Sequence, residues 1–303
     1  PPPTLPRPSS HFNLFTLSKK KSVHESSSRP CPSHPFNCLR VTSLPPYESY
    51  RTSLSLPPSP FIVPYLKMPE LHKAGVAMAL AIAHFFYQSS GLTKFYNELY
   101  AYWKCTPLLV LISFVALHGG GVPLKTRGLL VLALTAGCAG DYVIGISKEG
   151  IVPGAIAFGI GHIFYMLTFV PETISICWPL AAVLGVWNAL VGYYCLLPVL
   201  KVSVIAVLVM TIYSFILTST VIYSASQCLY GSTVHPPFAD GLKWRLLGFA
   251  LFYVSDNIFI MEHTGYRIPL AEHWILFTYF AAQYILVRAA VQCEKYKPKS
   301  KSS

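Results

Sequence analysis

Leu129 to Ile146 reads LLVLALTAGCAGDYVIGI, an apolar run long enough to cross a bilayer that carries a single charge, Asp141. A carboxylate within a membrane helix costs roughly 2.5 to 3.5 kcal/mol even on the lenient insertion scale, so such a residue faces a protein interior and has a task there. The pattern returns at Leu246 to Met261, LLGFALFYVSDNIFIM, again apolar and again with one acid, Asp256, preceded by the small residue Ser255 where the first run has Gly140. The reading that follows is of a helical membrane scaffold that brings two acids together.

Composition agrees: 53% of the 303 residues are hydrophobic, only 12% are charged, and the mean hydropathy is +0.49, outside the balance of a water-soluble domain. The formal charge of +11 does not point to nucleic acid, because the basic residues are scattered or terminal and form no patch interleaved with aromatics. The eight cysteines lie far apart with no C-x-x-C pair, and most read as small core residues.

Residues 1–67 hold 14 of the 25 prolines, many serines and the run Lys19-Lys20-Lys21. Such a segment buries too little to offset its ordering entropy and is expected to be a disordered extension. No apolar core follows its basic cluster, so it does not read as a signal peptide. Residues 68–292 form the transmembrane domain and 293–303 a basic tail.

Apolar runs of span length are expected at about 73–90, 105–118, 127–146, 151–170, 177–195, 199–225, 243–262 and 270–292, an all-α fold of about eight transmembrane helices, with seven as the rival count. The fifth and sixth runs are separated only by Pro198 and Lys201. From position 73 onward Lys and Arg divide ten to five in favour of the side bearing both termini, which places both termini in the cytosol. The expected membrane is the endoplasmic reticulum. Asp141 and Asp256 lie at similar depth in spans running the same way, and the echo of AGDYVIGISKEG in VSDNIFIMEHTG hints at a parallel four-plus-four repeat with a site at its interface.

Other polar residues within spans are candidates for the same cavity. His162 and Tyr165 share a helical face at i and i+3, Tyr279 and Gln283 share one at i and i+4, and Lys104 opens span two on the side nearer the acids. Each has a plainer reading: a buried histidine is often only a helix-to-helix partner, tyrosines often only pack, and a lysine near a helix end often snorkels to headgroups. Metal chemistry has little to build on, with no H-x-x-x-H or H-E-x-x-H present, and neither G-x-S-x-G nor a phosphate-cradling P-loop occurs. No metal and no cofactor are expected. What remains is acid and base chemistry by carboxylates, with proton-coupled transport of a lipid or solute as the principal alternative and a non-catalytic lipid-binding receptor as a third.

Gly140-Asp141, the F-x-x-x-H-x-x-Y of Phe158, His162 and Tyr165, the G-x-x-x-F-x-x-S-D of Gly248, Phe252, Ser255 and Asp256, and the Y-x-x-x-Q-Y of Tyr279, Gln283 and Tyr284 occur in an order and spacing that resemble the lysoplasmalogenase family of eight-span membrane proteins, the YhhN-like domain. The resemblance covers about residues 74–290. The family's K-P dipeptide of span two is stretched here to Lys104-Cys105-Thr106-Pro107. The resemblance implies hydrolysis of the vinyl ether bond of lysoplasmalogen to a fatty aldehyde and glycerophosphocholine or glycerophosphoethanolamine, a step of plasmalogen catabolism. A vinyl ether is cleaved by protonating its β-carbon to an oxocarbenium that water attacks, so one acid must be protonated and the other ionised. Asp141 and Asp256 are thus expected to be the acid and the base, in either order, with His162 as their orienting partner. Lys104, Tyr165, Ser255, Tyr279 and Gln283 are the expected substrate-binding residues, and the partners are membrane lipids rather than nucleic acid.

Overall fold

A computed structural model describes residues 68–92, 98–118 and 122–295, all within one unit, Pro60–Ser303. The extension expected at 1–67 and most of the basic tail lie outside the described residues. Among these residues the apolar runs fold as eight successive helices: α1 Met68–Gln88, α2 Glu98–His118, α3 Leu124–Ile146, α4 Ile151–Leu167, α5 Trp178–Val199, α6 Val204–Tyr230, α7 Asp240–His263 and α8 Ala271–Lys295. Seven are long and apolar enough to cross a membrane, which makes this an all-α, multi-pass integral membrane protein. The exception is α1, whose sequence is diluted by His72, Lys73, His84 and Gln88.

Two helices depart from the simple reading for local reasons. In α2 Pro107 lies inside the helix and offers no N–H to the carbonyl of Trp103; the Thr106 hydroxyl donates to that oxygen instead, at 2.7 Å, so the helix runs on from Glu98 through Lys104 to His118. The expected start at 105 is corrected accordingly. In α5 the α-helix of Trp178–Val191 passes into a π turn over Gly192–Leu196 before a last turn, Leu197–Val199, that accommodates Pro198 near its start. The break before α6 therefore falls later than the sequence indicated, at Ser203, whose side chain caps the new helix by accepting from the Ala206 N–H at 3.2 Å.

Inside a bilayer the lipid tails are as apolar as leucine, so helices associate through close packing and polar contacts rather than through water exclusion. Small residues set the approach. A Cβ on Gly145 of α3 would lie 2.8 Å from the Ala101 Cα of α2, and one on Gly140 would lie 2.8 Å from the Phe158 ring of α4. Helix α3 is thereby clamped between α2 and α4, while α4 packs on α6, α6 on α7, α7 along α8, and α8 returns to α2. Phe85, Leu108, Leu134, Phe249, Phe252 and Phe280 are fully buried at the centre. The two halves are not alike at their edges: α1 packs along α2, whereas α5 touches α6 sparsely and has only 11% of its span buried, against 61% for α8.

Candidate active site

Asp141 and Asp256 line the same small cavity, about 60 Å³, together with Lys104, Tyr213, Ser255 and Tyr279. Both acids lie in the C-terminal half of their helices, Asp141 five residues before the end of α3 and Asp256 seven before the end of α7. At ~1.5 Å per residue that is within about 11 Å of the helix ends.

The acids have different surroundings. Asp141 is 1% exposed and fully engaged: Lys104 Nζ lies 3.1 Å from its Oδ1, and the Tyr279 hydroxyl donates to its Oδ2 at 2.6 Å. Lys104 is held there by the close α2–α3 approach, because Ala101 sits one turn before it and Gly145 one turn after Asp141. The Cys105 thiol adds a bond across the same interface, donating to the Cys138 carbonyl at 3.3 Å. The lysine thus turns into the protein and does not snorkel. Asp256 is only half-buried and receives the Tyr213 hydroxyl from α6. It also borders a second cavity of about 50 Å³ toward α5, lined among others by Asn188, Ser214 and Tyr253.

His162 is 1% exposed and stands one residue removed from the acids: its Nε2 is 3.5 Å from the Tyr213 hydroxyl, a weak contact, and its Nδ1 has no hydrogen-bond partner among the described residues. Its ring packs edge-on to Phe252 at 4.4 Å between centroids. Tyr165 and Gln283 do meet across α4 and α8, but they satisfy each other, Tyr165 donating to Gln283 Oε1 at 2.7 Å, and neither lines the acid cavity. Ser255 lines the cavity while its hydroxyl donates to the Ile275 carbonyl at 3.0 Å, tying α7 to α8.

Sequence reasoning overlooked Tyr213. It lies in an apolar run with no charged neighbour, and nothing in its spacing shows that α6 packs against α4 and α7 in the register that places its hydroxyl between His162 and Asp256. Phe158, Phe252 and Tyr279 stand mutually edge-on, with centroids 5.3 to 6.3 Å apart, and Phe158 and Tyr279 reach the cavity wall. A cation formed there would meet aromatic π density as well as a carboxylate.

The YhhN family pattern matches residues 99–290, which include every residue of this cluster. The lysoplasmalogenase TMEM86B of Mus musculus is 29% identical over 194 residues, 62% of this chain and 74% of the mouse protein. No solved structure matches the chain.

Proposed function

Because the chain belongs to the YhhN family, we propose that it is a membrane-embedded lysoplasmalogenase, hydrolysing the vinyl ether of lysoplasmalogen to a fatty aldehyde and a glycerophospho-choline or -ethanolamine. It works from within the endoplasmic reticulum membrane with both termini cytosolic. The similarity to the mouse lysoplasmalogenase supports the substrate class, and the chemistry rests on Asp141 and Asp256.

One observation carries the mechanism: two carboxylates share a cavity, and among the described residues only one of them is ion-paired, Asp141 with Lys104. A charge within a membrane span that has no partner is strongly unfavourable, whereas a hydrogen-bonded ion pair holds both of its charges. Asp141 is therefore the carboxylate. Asp256, bonded by a tyrosine hydroxyl, carries the proton. Asp256 protonates the β-carbon of the vinyl ether, leaving an oxocarbenium at the carbon bonded to oxygen. The Phe158 and Tyr279 rings and the Asp141 charge stabilise that cation. Water attacks it and gives a proton to Asp141, forming a hemiacetal. Collapse returns the hemiacetal hydroxyl proton to Asp256 while Asp141 delivers its proton to the departing glycerol oxygen, so the net reactant is one water and both groups are reset. Lys104 and Tyr279 fix the Asp141 oxygens, and Tyr213 orients Asp256 with His162 behind it.

Purified protein in detergent provides the test. Free aldehyde released from lysoplasmalogen, at a rate far above that on the ester-linked lysophospholipid of the same chain length, is the expected result. Comparable rates on the ester would overturn the vinyl ether mechanism.

A further inference from the structure

A third cavity, about 170 Å³, lies beyond the acids toward the helix ends, between the start of α4, the α5–α6 corner and the end of α7. It shares Ile151 and Met210 with the acid cavity, and Leu196, Met210 and Ile260 with the cavity toward α5. Met210 borders all three, so an unbranched, adaptable side chain stands with Ile151 between the acids and the mouth. The mouth carries charged and polar groups at its rim, where Glu149 from the turn before α4 and His263 from the end of α7 line it. Both are exposed at the end of the bundle. The His263 ring stacks on Phe259, itself a wall of the acid cavity, with centroids 6.2 Å apart and planes at 10°.

We propose that this mouth is the headgroup subsite, taking a phosphate–ammonium zwitterion with Glu149 facing the ammonium and His263 facing the phosphate. The inference deepens the lysoplasmalogenase reading and rests on it for the identity of the lipid. Length supports it. From Asp256 to His263 is seven residues of α7, about 10.5 Å at helical rise, roughly what an extended glycerophosphoethanolamine spans from ether oxygen to amine in nine bonds. Its phosphorus, five bonds along, falls about a turn lower, where the His263 ring lies back over Phe259. With the vinyl ether at Asp256, the amine reaches the mouth and the alkenyl chain continues the opposite way, past Tyr253 and Leu217 toward the sparsely packed α5. Charge supports it too, because a mouth with one acid and one imidazole complements a dipolar headgroup better than a purely anionic one.

The experiment compares two lipids with the same alkenyl chain in matched micelles, alkenyl-lysophosphatidylethanolamine and alkenyl-glycerol-3-phosphate, which lacks the amine. Glu149→Gln should raise KM for the ethanolamine lipid about two- to fivefold, the scale of an exposed ion pair, and should not raise KM for the phosphate lipid, which has no ammonium to lose and an anionic headgroup that the acid repels. Ala206→Phe, which fills the mouth, should raise KM for both lipids. Equal effects of Glu149→Gln on the two lipids, or an Ala206→Phe variant with unaltered KM, would overturn the subsite. The same pair of headgroups on saturated alkyl ethers, which have no vinyl group to hydrolyse, gives dissociation constants by tryptophan fluorescence. That arm reports on the subsite even if wild-type protein releases no aldehyde, an outcome that would sink the lysoplasmalogenase reading alone.

Discussion

The protein buries two polar clusters, and they are built on opposite principles. Around Arg245 of α7, 7% exposed, the guanidinium donates to Gln227 Oε1 at 2.6 Å, approaches Cys293 Sγ at 3.1 Å and lies over the Phe169 ring at 4.7 Å. Gln227 in turn donates to the Phe169 carbonyl and to Thr173. The bonds there fasten α7 to α6 and α8 and α6 to the α4–α5 connection, and Gly241 lets the backbone of α7 approach Cys293 closely. Around Asp141 and Asp256 the bonding is just as dense on the protein side, but carboxylate groups face a cavity and one of the two lacks a cation among the described residues. Burial of charge alone thus does not mark a site in a membrane protein. What separates the two clusters is unspent capacity aimed at empty space.

Substitution can break this contrast. The largest effect is expected from Asp141→Asn and Asp256→Asn, each lowering aldehyde release by about 100-fold or more while yield and thermal stability in detergent hold, since the amide is no harder to bury than the acid. Retention of more than about a tenth of activity in either variant would remove that residue from the chemistry. Next comes Lys104→Met, which strands the Asp141 charge: activity should fall comparably, and stability should fall by about 3 to 5 kcal/mol unless the acid takes up a proton. Combining it with Asp141→Asn should restore the melting temperature without restoring turnover, and failure of that rescue would deny the ion pair its role.

Arg245→Met tests the other cluster. It leaves Gln227 short of a partner, so a loss of about 1 to 3 kcal/mol in stability is expected, with kcat per folded molecule nearly unchanged; a selective loss of kcat would erase the distinction between the clusters. The smallest effect belongs to chelation. Among the described residues no three potential ligands from His, Cys, Asp and Glu converge, and prolonged phenanthroline treatment should leave turnover intact. Loss restored by added zinc would overturn the carboxylate mechanism.

How far the site could be read in advance depends on the kind of signal each residue gives. Asp141 and Asp256 stood out because charge in an apolar run is costly wherever it falls, and their convergence followed from equal depth on parallel spans. Arg245 shows the limit of that logic: it too is a charge within a helix of span length, and nothing in its sequence surroundings separates it from the other scattered basic residues. Tyr165 shares a helical face with His162 and Gln283 shares one with Tyr279, yet a shared face does not say whether a group meets a ligand or, as Tyr165 and Gln283 do, a side chain of another helix.

By itself the sequence determined the membrane class, the helical architecture and the pair of acids, because these follow from hydropathy, run length and the cost of charge in hydrocarbon, all of which are local. The tertiary structure decided which acid holds Lys104 and which holds Tyr213, where α5 gives way to α6, and that Met210 stands between the acids and the mouth. Those depend on the rotation of each helix about its axis and on approaches such as Gly145 against Ala101, and in a bilayer both are set by packing between helices far apart in the chain.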